Sequence, residues 1–324
     1  MKNALLNRVL VGVLVGIFMV AMVVMATQSV HHHLLRELQA LIISVLTLIA
    51  VIEMRRALGK DKIPDNFSWI IWVYGAGIGP AYILFGYVGV VFLTLLLFCF
   101  STITALTAKR PEALFYIAFI FIYPGLLFAS MLYINRCAST HTAGSKQVES
   151  LAGYTVIDSW SIIKGQRNSI LLPYNALGYA FIFAVSSFTD VFAYFVGMLF
   201  GKRKLCPNIS PNKTVEGAIG GLVGGLLCSA LVYIIFEVWQ PFGAGFGFTY
   251  LGLTKFHLLL AYITIGSIGS VLTQIGDLLA SLIKRHCGIK DYGKILGAHG
   301  GVMDRFDGIL LNAVLVASVY MFII

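Results

Sequence analysis

The 40 residues from Phe67 to Leu106 carry no charged side chain. A helix crossing the hydrocarbon core of a bilayer needs about 20 apolar residues. This run is therefore too long for one crossing and suits two, turning near Gly86 and its neighbouring glycines. Similar runs recur at Ala4–Ala26, Leu34–Ile52, Ala113–Ile134 (with Pro124 as a kink point), Ser169–Phe188, Val215–Val238, His257–Ala280 and Phe306–Ile324. The pattern predicts an all-α polytopic membrane protein with about nine transmembrane helices. Composition agrees: 59% of the chain is hydrophobic, 11% is charged, and mean hydropathy is +0.89. So few polar side chains could not cover a soluble domain of 324 residues. Soluble globular, disordered and fibrous classes are thereby excluded. Ala4–Ala26 reads as a retained helix, because it exceeds the roughly 7–15 apolar residues of a signal peptide.

Charge then orients the spans. Lys and Arg number 23 against 14 Asp and Glu, a net charge of +9. The basic residues crowd into four places: Arg55, Arg56, Lys60 and Lys62; Lys109 and Arg110; Lys202, Arg203, Lys204 and Lys213; and Lys284, Arg285, Lys290 and Lys294. A nine-span topology puts all four on one face, which the positive-inside rule makes cytoplasmic. The polar loop 135–168, with Arg136, Lys146, Lys164 and Arg167, departs from that rule. The chain divides into N-terminal helices over 1–112, middle helices with the polar loop over 113–200, and a C-terminal region over 201–324 that holds the densest chemistry. Five scattered cysteines without CxxC spacing exclude a zinc ribbon or redox motif. The triplet His31–His33 reads as a polar interfacial turn.

Two segments stand out. The first runs from Ser187 through Asp190, Tyr194 and Gly197 to Lys202–Lys204, then Ser210-Pro-Asn-Lys213-Thr214-Val-Glu216-Gly217. Asp190 is an acid inside an apolar run, costly in hydrocarbon and so a candidate for function. Ser210, Lys213 and Thr214 bring hydroxyls, backbone N–H groups and an ammonium to the start of a span, a combination that suits phosphate. The plain alternative is an ordinary N-cap by Thr214 within a positive-inside anchor. The glycines at 217, 221 and 225, with 220 and 224, predict close helix packing on one face.

The second segment holds Asp277, Ser281, Lys284, Arg285, Lys290, Asp291, Gly293, Gly297, His299, Gly300, Gly301, Asp304, Arg305 and Asp307. Asp277 lies near the end of one span, and Asp304 and Asp307 share a face at the start of the next. Carboxylates converging from two helix ends suit a hard cation such as Mg²⁺, and the adjacent cations suit a polyphosphate. The chemistry indicated is phosphoryl or nucleotidyl transfer by positioning and electrostatics. No GxxxxGK[ST] loop is present, so a P-loop enzyme is excluded. Plain readings are a salt bridge from Arg305 to Asp291 or Asp307, and a loop-stabilising hydrogen bond from His299. A secondary transporter is the competing class, motivated by intramembrane Asp190 and Asp277. Against it, the charges gather at one face and no inverted repeat is visible.

The run Ser281-x-Ile-Lys284-Arg285-x4-Lys290-Asp291-x-Gly293-x2-Leu296-Gly297-x-His299-Gly300-Gly301-Val-x-Asp304-Arg305-Phe-Asp307 resembles the signature of the phosphatidate cytidylyltransferases (CDP-diacylglycerol synthases), matching at every fixed position across 281–307. The upstream block resembles that family too, with departures at Val191, Phe192, Met198 and Asn212. The resemblance implies transfer of a cytidylyl group from CTP to phosphatidic acid, giving CDP-diacylglycerol and pyrophosphate in phospholipid synthesis. Another phosphorylated lipid as acceptor stays open. It implies Mg²⁺ on Asp277 and Asp304, with a second cation left open. Asp277, Lys284, Arg285, Asp304, Arg305 and Asp307 would be catalytic. Asp190, Ser210, Lys213, Thr214, Lys290, Asp291, His299, Gly300 and Gly301 would bind substrate. The expected partners are CTP, phosphatidic acid and the bilayer, without nucleic acid; a homodimer is left open. The expected location is a bacterial inner membrane, with the active-site loops facing the cytoplasm.

Overall fold

A computed structural model describes residues 2–29, 32–135, 139–142, 169–172, 174–240, 248, 253–296 and 300–323. Eight helical elements dominate: α1 (Lys2–Gln28), α2 (His33–Leu58), α3 (Ser68–Ala108), α4 (Ala113–Asn135), α5 (Tyr174–Phe200), α6 (Val215–Trp239), α7 (Lys255–His286) and α8 (Met303–Ile323). Two short antiparallel pairs join them, β1 (Ser139–Thr142) with β2 (Ser169–Leu172) and β3 (Lys204–Cys206) with β4 (Ser210–Thr214). Among the described residues, seven helices are long and apolar enough to cross a membrane, and Gly12–Gln28 is a shorter apolar segment. The expectation of about nine crossings counts α3 twice and adds the first helix.

The charge-free run 67–106 turns where its glycines suggested. Gly86 has φ +65° and ψ −154°, outside the helical region, and splits α3 into two arms. The arms lie side by side: Trp69 meets Phe100 edge to face with ring centroids 6.5 Å apart. Outward positions such as Leu84, Phe85, Val88 and Phe92 are exposed and apolar, as a lipid-facing surface requires. In α4 the helix breaks at Tyr123-Pro124 with a wider turn over Phe121–Leu126, the kink expected at Pro124.

Three boundaries differ from the sequence reading. The span expected over Ser169–Phe188 begins at Tyr174 and extends to Phe200, since Ser169–Leu172 pairs as a strand with Ser139–Thr142. Ser210–Thr214, expected at the start of a span, is a hairpin strand that leads into α6. The helix carrying Asp277 continues to His286, which puts that acid well inside α7. The polar loop 135–168 and His31 fall largely outside the described residues. His32 directly precedes α2, and Cys99, Cys206, Cys228 and Cys287 are free thiols.

The glycine stripe of α6 sets the architecture around the site. A Cβ on Gly220 would meet Val196 Cβ at 2.5 Å, and one on Gly224 would meet Phe188 O at 2.7 Å, both on α5. On the other side, a Cβ on Gly225 would meet Ser270 Cβ of α7 at 2.5 Å. The three helices approach closely because α6 contributes only a hydrogen at each of these contacts. Polar side chains then link the helices inside the bundle. Thr189 Oγ1 donates to Ser270 Oγ (2.9 Å), Ser270 Oγ donates to Gly221 O (3.0 Å), and Ser186 and Thr273 hydroxyls pair at 3.0 Å. Asn312 of α8 donates to Phe181 O and Ser186 Oγ on α5.

Candidate active site

The packing of α5, α6 and α7 leaves a cavity of about 440 Å³ under the β3–β4 hairpin. Asp190 of α5, Asn212, Lys213 and Thr214 of the hairpin, and Gln274 and Asp277 of α7 supply its polar groups. Tyr194 and Met198 supply apolar wall, and both are exposed on the outer side of α5. Lys213 Nζ lies 2.7 Å from Asp277 Oδ2. Asp277 also stands within electrostatic reach of Asp190 and of Asp307. Three acids from α5, α7 and α8 are thus near enough to feel one another's charge, which Lys213, Lys284 and Arg305 offset.

The hairpin is fixed by its flanks. Thr214 is the N-cap of α6, its Oγ1 accepting from Gly217 N at 3.1 Å. The plain alternative for that residue is therefore realised, although its side chain also lines the cavity. Glu216 reaches back so that its carboxylate accepts from Lys202 N (3.0 Å) and Arg203 N (3.1 Å). Gly197 and Gly201 leave room for Thr214: a Cβ on either would come within 3.0 Å of its Oγ1.

The second group assembles between α7 and α8. Gly276 permits it, since a Cβ there would meet Asp307 O at 2.5 Å. Lys284 Nζ lies 2.9 Å from Asp304 Oδ1, with both side chains largely buried, and 5.4 Å from the centroid of the Tyr292 ring. Asp304 Oδ2 accepts from Tyr292 N (2.8 Å) and Gly301 N (2.9 Å). Both oxygens of Asp304 are thus engaged, one by Lys284 of α7 and the other by the amides of Tyr292 and Gly301. Gly300 has φ +79°, and a Cβ there would press on the same carboxylate at 2.6 Å, so glycine is required on both counts. Tyr292 OH donates to Ala280 O at 3.0 Å, and burial pushes its phenol above the ordinary range. Arg285 Nε donates to Ile209 O at 3.3 Å, tying the end of α7 to the hairpin.

The predicted residues therefore separate into groups. Asp190, Lys213, Thr214 and Asp277 line one cavity. Lys284, Asp304, Gly300 and Gly301 form the loop anchor, with Asp307 and Arg305 between the two. Ser210 is half-buried on the hairpin, Lys290 and Asp291 are exposed on the loop, and His299 lies outside the described residues. Gln274, Tyr292 and Glu53 escaped the sequence reading. Gln274 Nε2 donates to Ala218 O (3.2 Å) across the cavity wall. Buried Glu53 of α2 accepts from the start of α8. The signal for Gln274 was a polar residue within an apolar helix, whereas Glu53 stands at the end of α2 beside Arg55 and Arg56, where a charge is unremarkable.

Among the described residues, no group of three or more His, Cys, Asp or Glu is arranged to hold a metal ion. The donor set facing the cavity is made of carboxylates, which suits a hard cation shared with substrate oxygens.

Comparison with known proteins gives a consistent picture. The chain is 41% identical over 143 residues to a protein of Staphylococcus epidermidis named phosphatidate cytidylyltransferase, covering 43% of this chain and 48% of that one. It is 45% identical over 141 residues to one so named from Staphylococcus saprophyticus, covering 42% and 48%. A Bacillus subtilis protein of the same name is 41% identical over 122 residues, covering 38% and 39%. The chain thus spans about half or less of the length of the curated relatives it matches. The model of the cytidylyltransferase family matches residues 6–323, nearly the whole chain. With a match running from the first helix to the last, the chain belongs to the cytidylyltransferase family.

Proposed function

We propose that the chain transfers the cytidylyl group of CTP to phosphatidate, releasing pyrophosphate and forming CDP-diacylglycerol for phospholipid synthesis. The observation that carries this reading is the cavity in which Lys213 and Asp277 meet at 2.7 Å. Its polar end lies beneath a basic hairpin suited to a triphosphate. Its apolar wall, Tyr194 and Met198, lies on the exposed face of α5, where a lipid's acyl chains would run.

In the reaction, a phosphate oxygen of the lipid attacks the α-phosphorus of CTP. The bond between the α-phosphorus and the bridging oxygen breaks, and pyrophosphate leaves with the electron pair. On this reading Lys213, Lys284, Arg285 and Arg305 offset the charge on both phosphates. No protein nucleophile is needed.

Mg²⁺ requires only one or two carboxylates, its other ligands being waters and substrate oxygens. Asp277 and Asp307 suit that role, because Asp304, the other residue expected to bind metal, has both oxygens engaged by Lys284 and two amides. Bound there, Mg²⁺ would draw charge from the triphosphate, leaving Asp304 to hold the loop. A second cation stays an expectation. The reading also places the basic loops in the cytoplasm, beneath the inner membrane of a bacterium, where CTP is available. Neither a homodimer nor a nucleic acid is needed for this chemistry.

The test is product identification by mass spectrometry after incubating the purified protein in lipid nanodiscs with CTP, Mg²⁺ and a panel of lipid phosphates. CDP-diacylglycerol from phosphatidate is the expected product. A CDP adduct of another lipid phosphate, with phosphatidate unused, would reassign the acceptor. Absence of any CDP-lipid would overturn the reading.

A further inference from the structure

Glu53 lies near the end of α2 and is 1% exposed. Its Oε1 accepts from Val302 N at 3.1 Å and its Oε2 from Met303 N at 2.9 Å. Those amides stand at the start of α8, where a helix has no carbonyls of its own to pair with them. A carboxylate also complements the positive end of the helix dipole. The capping group here comes from a residue 249 or 250 positions away in sequence.

The loop is shaped around that carboxylate. Added Cβ atoms on Gly293 and Gly301 would both collide with the Glu53 carboxylate. Next to it, Asp304 takes Tyr292 N and Gly301 N. Two carboxylates from different helices therefore hold four amides in the stretch from Tyr292 to Met303, directly before Asp304, Arg305 and Asp307. Asp304 belongs to the segment being held, whereas Glu53 anchors that segment from another part of the protein.

We propose that Glu53 is a positioning residue of the active site: its carboxylate fixes the start of α8 and so the placement of Asp304, Arg305 and Asp307. This assigns the N-terminal helices a part in the reaction. The kinetic part of the test rests on the activity proposed above, and the exchange part does not.

The experiment compares the full-length wild type with Glu53→Gln, Glu53→Ala, Gly301→Ala and the double variant Glu53→Ala/Gly301→Ala. Hydrogen exchange of peptides covering 300–306 should be faster in Glu53→Ala, with α7 protection unchanged. Turnover of CTP should fall about 10- to 100-fold in kcat/KM, the range usual for residues that orient site groups. KM for CTP should rise, whereas a reduced folded fraction would lower apparent kcat alone. Glu53→Gln should fall in between, because its amide can accept from only one of the two N–H groups. Gly301→Ala should be strongly impaired alone, yet add little in the Glu53→Ala background, where the space has been freed. Unchanged exchange at 300–306 would overturn the proposal. So would an unchanged KM for CTP, or a Gly301→Ala penalty equal in both backgrounds. Should the wild type fail to turn over CTP, the activity proposal falls and the exchange result still decides this one.

Discussion

Lys213 Nζ stands 2.7 Å from Asp277 Oδ2, so one ion pair ties the β3–β4 hairpin to the interior of α7. Their side chains are 25% and 37% exposed, and a pair this accessible contributes at most about 1 kcal/mol to stability. Its importance is in what the two groups face. Asp277→Asn should leave the unfolding temperature within a few degrees and lower kcat about 100-fold or more, the scale of losing one preorganised electrostatic group. Thermal unfolding and turnover on the same preparation check both halves.

The Lys284–Asp304 pair should behave in the opposite way. Its side chains are 14% and 5% exposed, so Asp304→Asn strands a buried ammonium and should destabilise by about 3–5 kcal/mol. Replacing both, as Lys284→Met/Asp304→Asn, should recover much of that stability without recovering activity. Chemical denaturation paired with activity separates the two effects.

Gly224→Ala should be among the most damaging substitutions away from the site. Its added methyl would meet Phe188 O at 2.7 Å and Phe192 Cβ at 2.6 Å. Overpacking of this kind costs about 1–3 kcal/mol, and pushing α6 away from α5 should also open the cavity. A lower melting temperature with weaker CTP binding is the expected pair of results.

Tyr292 should shape the alkaline limb of stability. Burial holds its phenol above the ordinary value of 10, so above that pH the unfolded chain ionises while the folded one keeps its proton. Its contribution to stability is therefore full below pH 10 and lost as pH rises through the folded value. Tyr292→Phe should flatten that decline and, by removing the hydroxyl's bond to Ala280 O, cost about 1 kcal/mol at neutral pH. Urea unfolding between pH 7 and 11 measures both.

Much of this molecule was legible in residue order because its determinants are local. Gly86 interrupts a charge-free run, so the turn could be placed. Gly220, Gly224 and Gly225 repeat at helical spacing, so close packing could be anticipated. The signature acids and bases lie within one short segment, so their chemistry could be named. What stayed hidden depends on tertiary contact. Nothing near Asp304 in sequence reveals that both its oxygens are engaged, one by Lys284 and the other by two loop amides. Glu53 meets Val302 and Met303 only because α2 packs beside α8. The start of α5 was misplaced because Ser169–Leu172, apolar enough to extend a span, finds a strand partner in Ser139–Thr142.

The most direct test of the account follows the phosphorus atoms of CTP. With phosphatidate, Mg²⁺ and the purified full chain, label on the α-phosphorus should appear in the lipid product and label on the γ-phosphorus in pyrophosphate, in equal amounts. Label from the γ-phosphorus in the lipid, or no lipid label from either position, would contradict it.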